Sequence, residues 1–272
     1  MFDRPPSVAF VKSSGVGVEP HRAPAWDAPL AQLSSIGLDE LNSQAALQDR
    51  METKYVVSGA QLTELLVRLA ASHRALDIDG RRAFAYRTTY YDTDDLLTFR
   101  EHVQRRRRRF KCRKRLYLDS RLSVFEVKLK GTRGRTLKHA RACDPAERLA
   151  EDDVAFLRER LLDAYGRELC QPLSPTLVVA CRRMTLASAD CAERVTCDVD
   201  LRLGRGRLVD GLAVIETKSM NGGGEADRLL REMGVRPVER FSKYLLGVAL
   251  GRSDVRDNDM KYLLRRHFIA VS

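Results

Sequence analysis

The sequence predicts an α+β fold built around an antiparallel sheet with one ionic face. Segments 110–118 and 123–130 carry charged residues at every second position, and similar alternation recurs in four further segments. A strand points successive side chains to opposite faces, so such segments place their charges on one face of the sheet. The apolar face can be buried under helices. If the sheet also closes into a barrel, the ionic faces line a wet lumen.

The two central segments give the ionic face its character. Their alternate positions hold Lys111, Arg113 and Arg115 in the first segment and Glu126, Lys128 and Lys130 in the second. Same-face neighbours lie roughly 7 Å apart, so these cations form a ladder that can contact several phosphates of one chain. A solvated sheet face is the ordinary alternative. The ladder, however, recurs along the chain and contains regularly spaced glutamates, and both features favour a binding surface.

Composition narrows the class of partner. The chain has 272 residues, which fits one large domain or one domain with appendages, and 44% hydrophobic residues suffice for a core. The net charge is +11, from 48 basic and 37 acidic residues. That balance predicts an acidic partner such as nucleic acid, polyphosphate, nucleotides or an anionic membrane surface.

The six cysteines indicate neither a zinc site nor a disulfide framework. None forms a CxxC pair, and no histidine cluster accompanies them. The N-terminus lacks the apolar segment of a secretory signal, so we expect reduced thiols and a cytoplasmic protein. No apolar run approaches the ~20 residues that a transmembrane helix needs.

The first half of the chain begins with a predicted tail. Residues 1–47 hold five prolines and little periodicity, which predicts a flexible segment; its Trp26 either docks on the domain or stays exposed. A strand at 50–57 precedes a capping box of Ser58 and Gln61. The following helix has four leucines at helical spacing, namely Leu62, Leu65, Leu66 and Leu69.

Further strands and helices follow in alternation. A strand is predicted at 84–91, and the polar run 92–95 should cap a short helix through Phe99. After the central pair comes a strand at 135–141. Asp144, Pro145 and Glu147 suit the N-cap, N1 and N3 positions of a helix that ends at Gly166.

The last third repeats the strand pattern. Strands are predicted at 176–185, 194–203 and 212–218, followed by a glycine loop, a helix at 225–233 and the segment 238–250. The triple glycine lacks the GxxxxGK[ST] spacing of a P-loop, so we assign it no phosphate-binding role. Residues 253–272 form a basic C-terminal segment.

Nine motifs in this order resemble one family. They read RMETKY, YYDT, KCRKRLY, FEVKLK, TLKHAR, ACRRMT, RVTCDVDLRL, VIETKSM and RFSKYLLG. Each motif is weak alone, but the ordered set is specific. From about Arg50 to Leu250 the chain resembles the VTC domain, which belongs with the CYTH proteins to the triphosphate tunnel metalloenzymes.

The resemblance implies a fold and an activity for residues 48–252. The implied fold is a closed antiparallel β-barrel with an ionic lumen and helices packed outside. Catalytic VTC domains build polyphosphate from a nucleoside triphosphate, usually ATP, and release the diphosphate. They use a divalent metal, Mn²⁺ or Mg²⁺. The partners implied are therefore a nucleoside triphosphate and polyphosphate, with room for a membrane-protein partner that would place the chain at the inner face of the membrane.

The resemblance also assigns site residues by motif, and Lys111, Lys130 and Lys218 are added because they share the same strand faces. The catalytic cations are Arg113, Arg115, Lys128, Lys138, Arg183, Arg194 and Lys218. The substrate-binding residues are Lys54, Lys111, Lys130, Ser242 and Lys243. Glu216 matches the family's metal-binding glutamate, and Glu52 and Glu126 are secondary metal candidates whose alternative role is ion pairing with the cations.

Three positions depart from the family pattern. Cys181 and Arg182 stand where a tyrosine and an acidic residue are common, and Cys197 replaces an aromatic residue, which puts the surroundings of Arg183 in doubt. The dense arginine run 105–109 is an addition. Its ordinary role is a solvated loop; its functional role would be a tunnel mouth that guides product or binds anionic lipid.

Two other functions remain open. Water attacking in place of a phosphate would make the same site a triphosphate or polyphosphate hydrolase. A non-catalytic module that binds polyphosphate or nucleic acid is the other alternative. Nucleic-acid binding favours aromatic residues on an open basic face, and the glutamates among the cations argue against it. We therefore expect no specific nucleic-acid partner.

Overall fold

The computed structural model of the chain describes residues 24–43, 51–131, 136–220, 222–256 and 258–271. The strands are β1 Ser34–Ile36, β2 Met51–Ser58, β3 His73–Leu76, β4 Ala83–Asp92, β5 Phe110–Tyr117, β6 Leu122–Lys130, β7 Thr136–Ala142, β8 Ser174–Ser188, β9 Glu193–Leu203, β10 Gly206–Leu208, β11 Leu212–Ser219 and β12 Phe268–Ala270. The helices are α1 Asp27–Gln32, α2 Leu38–Ser43, α3 Gly59–Leu69, α4 Leu97–Val103, α5 Glu151–Tyr165, α6 Glu225–Glu232, α7 Lys243–Gly251 and α8 Lys261–His267.

One antiparallel sheet carries the ionic face. Its long strands lie in the order β2-β11-β9-β8-β4-β5-β6-β7, and each neighbouring pair is antiparallel. The end strands β2 and β7 do not pair with each other within the described ranges. The α+β class is therefore as predicted, while the strand pairing that would close a barrel is not confirmed.

The apolar face of the sheet is buried under two groups of helices. The four leucines of α3 are fully buried with α1 and α6 against β2, β11, β9 and β8. Helix α5 covers β5 and β6 in a second cluster. The predicted capping box starts α3: Ser58 Oγ accepts from the Gln61 N–H at 3.2 Å, and the Gln61 side chain accepts from the Ser58 N–H at 2.9 Å.

Helix α7 lies on the opposite, ionic side of the sheet. Its Tyr244 stacks on Tyr90 of β4 with ring centroids 5.2 Å apart. Its first residue, Lys243, forms an ion pair with Asp198 of β9, and Ser242 caps the helix by accepting from the Leu245 N–H. The segment 238–250 therefore places two predicted site residues, Ser242 and Lys243, on the ionic side of the sheet.

The helix α4 starts later than the sequence predicts. It begins at Leu97 and continues past Phe99 to Val103. The polar run still supplies the caps: Asp92 accepts from the N–H groups of Thr98 and Phe99, and Thr93 Oγ1 accepts from that of Leu97. No described helix is both long and apolar enough to cross a membrane.

The prediction of a flexible tail is wrong for residues 24–43. Trp26 is only 7% exposed, and the Arg182 guanidinium lies 5.1 Å from its ring centroid. The Arg82 guanidinium donates to three carbonyl oxygens at the end of α1, those of Leu30, Ala31 and Leu33. Elements of three to six residues give little periodicity, which is why the pattern missed them. Residues 1–23 and 44–47 of the predicted tail lie outside the described ranges.

The predicted helix start at Asp144 is also wrong. Residues 144–150 are not helical, and α5 begins at Glu151, where Asp153 Oδ2 accepts from the Ala150 N–H. The cause is Lys114. Its buried ammonium donates to the carbonyls of Asp144, Ala146 and Arg148 at 2.8–3.2 Å and pairs with Asp153 at 3.0 Å. Three carbonyls turned toward one cation cannot point along a helix axis. The predicted helix end at Gly166 is confirmed.

We predict that Lys114→Met lowers the free energy of unfolding by about 3–5 kcal/mol, because it removes the cation 3.0 Å from the buried Asp153 carboxylate and the donor of three carbonyls. Urea unfolding measures the change. The double variant Lys114→Met/Asp153→Asn should recover part of the loss, since the charge is then removed as well. A single variant as stable as the wild-type protein would contradict the structural role of Lys114.

Candidate active site

The strand register aligns three lysines in one row. Lys128 of β6 lies opposite Lys111 of β5 and opposite Lys138 of β7. Neighbouring strands are about 4.8 Å apart, so the row concentrates three ammonium groups on the concave face. Two positions further along β5, Arg113 lies opposite Glu126, and Arg115 follows. The ladder predicted from the sequence therefore forms, with one acidic position inside it.

Glu126 holds this wall together. Its carboxylate is 1% exposed and contacts Arg113 at 2.6 Å, Lys138 at 2.6 Å and Arg115 at 3.6 Å. Burial raises its pKa, but the charges of Arg113, Arg115 and Lys138 outweigh burial and lower the pKa well below its usual range. Its geometry matches the ion-pairing alternative, and its metal role stays a prediction.

Asp198 of β9 likewise holds two cations in place. Arg183 donates to both carboxylate oxygens at 2.6 and 2.8 Å, and Lys243 forms a second ion pair. Burial raises the pKa of Asp198, and the charges of Arg183 and Lys243 lower it overall. Asp198 lies in the strand predicted at 194–203, but it was given no role from the sequence. The signal was its position beside Arg183, which becomes visible only when β8 and β9 are paired.

Two tyrosine rings of β4 pack against the arginines of the neighbouring strands. Arg113 donates to the Tyr90 hydroxyl at 2.8 Å, and Tyr86 lies beneath both Arg115 and Arg183 at 5.7 and 5.5 Å from the ring centroid. Burial raises the pKa of Tyr86 to about 12, so its ring stays neutral. Tyr86 lies directly opposite Cys181, and it thereby places an aromatic ring beside Arg183 where the motif has lost one.

A second wall is formed by β2 and β11. Lys218 contacts Glu216 at 2.6 Å and Glu52 at 3.9 Å, while Lys54 contacts Glu216 at 3.5 Å and also pairs with Glu52. Burial raises the pKa of Glu216, but Lys218, Lys54 and Arg183 lower it well below its usual range. Glu216 therefore stays ionised and holds two lysines in place.

The two walls are separated in the sheet by β9, β8 and β4, and they face each other across its concave side. Lys111 hydrogen-bonds Ser242 at 3.0 Å and lies 5.7 Å from the Tyr244 ring centroid. Burial, followed by the charges of Lys54, Arg113 and Arg109, lowers the pKa of Lys111 to about 7. The charge of Arg113, then burial, lowers the pKa of Lys128 well below its usual range, and Glu216 and Lys218 of the opposite wall also act on Lys128.

Two cations of the site, Lys111 and Lys128, are incompletely compensated: the charges of Glu126 and Glu216 raise the pKa of Lys128, but both carboxylates lie beyond ion-pair distance. Neither forms an ion pair with a carboxylate of the residues that the structure describes, whereas Arg113, Arg183 and Lys218 each do. Lowered pKa values mean that the folded protein opposes their charging. A polyanion between the walls would supply the missing countercharge.

Two predicted residues lie at the margins. Arg194 shares the concave face with Lys218, its cross-strand partner, but donates to the Leu41 carbonyl at 2.7 Å. Lys130 ends β6, and burial followed by the charge of Arg109 lowers its pKa. The structure thus gathers thirteen of the fifteen predicted residues around the concave side. Ten lie in the two facing walls, and three lie on β8 and at the start of α7, namely Arg183, Ser242 and Lys243. Their catalytic, binding and metal roles stay predictions.

The carboxylates fit a metal that shares its ligands with a substrate. Among the described residues, no group of three or more His, Cys, Asp or Glu side chains could hold an ion alone. Glu216 and Glu52 contact the same two lysines and therefore lie close together. Mg²⁺ typically takes one or two carboxylates together with substrate phosphates and waters. Glu216, with Glu52, suits that arrangement.

Comparison with known proteins gives one family match. A family model described as the VTC domain matches residues 49–251. Among curated proteins no match is found. Solved structures include a candidate adenylate cyclase from Bacillus halodurans, with 14% identity, 72% of this chain and 96% of that chain covered, and a TM-score of 0.47. A candidate adenylyl cyclase from Hippeastrum, described as having a dominant triphosphatase activity, shows 15% identity, 74% and 97% coverage, and a TM-score of 0.45.

We predict that Lys111 makes stability depend on pH. Its pKa of about 7 in the folded protein lies below the ordinary 10.5, so the cost of charging it is fully present below pH 7. Between pH 7 and 10.5 the unfolded chain binds more protons, and this cost is progressively relieved. Lys111→Met should therefore be most stabilising relative to the wild-type protein below pH 7, and its advantage should shrink by a few kcal/mol toward pH 10.5.

Denaturant unfolding from pH 6 to 10 measures this difference. Lys111→Arg is the matched control, because a guanidinium stays charged throughout the range and keeps the penalty at high pH. Parallel stability curves for the wild-type protein and Lys111→Met would contradict the lowered pKa.

Proposed function

The chain belongs to the VTC domain family, and we propose that it synthesises inorganic polyphosphate from a nucleoside triphosphate, with ATP as the expected donor. The observation that carries the proposal is the pair Lys111 and Lys128. Both lie on the wall formed by β5, β6 and β7, which faces the second wall, and neither has a carboxylate in ion-pair contact within the described ranges. A linear phosphate chain would supply the negative charge that these lysines lack, with Arg113, Arg183 and Lys218 as further contacts.

The cations would act by position and charge. In phosphoryl transfer the charge spreads over the oxygens of the transferred group, so fixed cations stabilise the transition state more than the ground state. Arg113, Arg115 and Arg183 are held by carboxylates and tyrosines, and their guanidiniums can hold phosphate oxygens through two donors. Because they are already oriented, little reorganisation is needed when the substrate arrives.

The second wall would bind the leaving diphosphate. Lys54 and Lys218 lie on either side of Glu216, and both can turn from that carboxylate to phosphate oxygens. A divalent ion bound by Glu216 and Glu52 would supply further positive charge to the diphosphate oxygens. Without substrate, the two lysines and the two carboxylates of this wall neutralise each other's charge.

The acceptor needs no general base. The terminal phosphate of a growing chain is already ionised at neutral pH, so it can attack directly. We include in the proposal that the barrel closes around the chain. A polyanion that contacts Lys54 on β2 and Lys138 on β7 would draw together the two end strands of the sheet.

A triphosphatase is the second candidate, because the same cations and the Glu216–Glu52 pair would serve hydrolysis equally well. Hydrolysis and synthesis would then differ only in whether water or phosphate occupies the attacking position.

One experiment separates these functions. The full-length protein is incubated with ATP and Mn²⁺, and the products are resolved on a gel that separates polyphosphates. A ladder of phosphate chains supports the polymerase. Short phosphate products without a ladder indicate the hydrolase, and unchanged ATP with bound polyphosphate indicates a binding module.

We predict that Lys128→Met abolishes turnover, with a loss of about 10²-fold or more, which is typical when one charge-stabilising donor is removed. Its free energy of unfolding should hold or rise, because a cation leaves a crowded positive surface. Initial rates and urea unfolding are the two measurements. Lys261→Met on α8 removes the same charge from an exposed position and should leave the rate unchanged. Full activity in Lys128→Met would exclude this lysine from the site.

We predict that Glu216→Gln retains binding of inorganic triphosphate but loses metal-dependent activity. The amide keeps the shape of the side chain and removes the charge that a divalent ion needs. Calorimetry of triphosphate binding and a Mn²⁺ titration of the rate test the two parts. An unaltered metal titration would exclude Glu216 as a ligand.

A further inference from the structure

The arginine loop, residues 105–109 between α4 and β5, is a second concentration of uncompensated charge. Arg105 to Arg108 are exposed and Arg109 is half-buried. Their polar contacts are with a side-chain amide and backbone carbonyls: Arg106 with Gln104, Arg108 with Tyr165 and Arg109 with Arg106. In the part of the chain that the structure describes, none of the five forms an ion pair with a carboxylate. Five adjacent cations therefore face solvent with no internal countercharge.

The backbone of this loop carries an unfavourable residue. Helix α4 ends in a Schellman motif, in which the N–H groups of Arg106 and Arg105 donate to the carbonyls of Glu101 and His102 at 2.9 and 3.1 Å. Arg105 occupies the left-handed position of that motif, with φ at 55°. Glycine adopts this conformation without steric cost, whereas a side chain does not. The two hydrogen bonds of the motif hold the loop in place, and glycine at position 105 would keep them while removing the charge.

Two open grooves meet at the arginine loop. One, of about 560 Å³, is lined by Leu97, Gln104 and the arginines 106–108, among others. The other, of about 490 Å³, is lined by Arg105 together with Lys54 and Glu52 of the candidate active site. The charge of Arg109 also lowers the pKa of both Lys111 and Lys130, so the loop lies close to the ladder. Arginines and lysines therefore line both grooves between the candidate active site and the outer side of the loop, beside Glu52 and Glu239 in the second groove and Glu101 in the first.

We propose that the arginine loop binds the part of a growing polyphosphate chain that has left the active site. The proposal rests on the proposed function and adds a product-binding site outside it. A linear polyanion matches the cations that lead from Lys54 of the candidate active site over Arg105 to Arg106, Arg107 and Arg108. The first groove has no aromatic lining on which bases could stack, and its apolar lining is Leu97, which is too little to insert into a bilayer.

This site would act on chain length. A product held at two places dissociates more slowly than one held at the active site alone, because the second contact is intramolecular. The polymerase would therefore add many phosphates before release. Short substrates cannot reach both the active site and the arginine loop at once. The affinity for inorganic triphosphate should therefore not depend on the loop.

The test uses the full-length protein, with Arg106→Gln/Arg107→Gln as the main variant. The probes are inorganic triphosphate and long-chain sodium polyphosphate, measured by calorimetry at several salt concentrations. We expect an unchanged triphosphate Kd and at least a fivefold weaker polyphosphate Kd. The slope of log K against log salt should flatten by roughly 1.5, as for two lost phosphate contacts. With ATP and Mn²⁺ the initial rate should be unchanged and the products shorter.

Two further variants keep the test decisive. Arg105→Gly should weaken polyphosphate binding while the melting temperature holds or rises, which excludes misfolding as the cause. Arg265→Gln/Arg266→Gln on α8 removes the same charge from another exposed surface and should leave polyphosphate binding unchanged. An equal loss in this control would overturn the proposal by showing a general charge effect.

Other results would also overturn it. An unchanged polyphosphate Kd in the main variant would do so, as would lost binding to phosphatidylserine vesicles alone, which would assign the loop to a membrane. If the wild-type protein makes no polymer, the proposed function fails, while the ratio of polyphosphate to triphosphate affinities still decides the arginine loop.

Discussion

Mutual repulsion among the cations of one concave face is the constraint on which the rest of this structure depends. Three carboxylates oppose it, the buried Glu126 and Asp198 and the partly exposed Glu216, and each is shared by at least two cations. Burying an ion is costly unless it is paired, so these carboxylates fix where the arginines lie. Lys111 and Lys128 remain outside this arrangement, and that imbalance makes the site receptive to a polyanion.

The sequence predicted what depends on local periodicity. Alternation of charge located the strands that form both walls, because side-chain direction in a strand follows from position alone. It could not show which charges pair across strands. Asp198 was therefore missed, and Glu126 was given two roles. The helix start at Asp144 failed for a related reason, since Lys114 reaches that loop from a strand thirty residues earlier. Pairing between distant segments, and not propensity, decided each of these positions.

At position 181 the chain lacks the tyrosine that is common in the family motif, yet an aromatic ring still packs against Arg183. The ring that supports Arg183 comes from Tyr86 on the adjacent strand, directly across from Cys181. An arginine needs a flat neutral surface and an acceptor, and either strand of a pair can provide the surface. Motif matching along one strand cannot detect such an exchange.

The N-terminal segment 24–43 has a consequence for how the domain is delimited. The family match starts at residue 49, yet Ile36 and Leu41 bury Leu76, Phe84 and Ala187 of the sheet. A fragment cut at the family boundary would leave that apolar surface in water and would free the guanidinium of Arg82 from its three carbonyls. Such a fragment would be prone to self-association, and its loss of solubility would say nothing about the chemistry of the site.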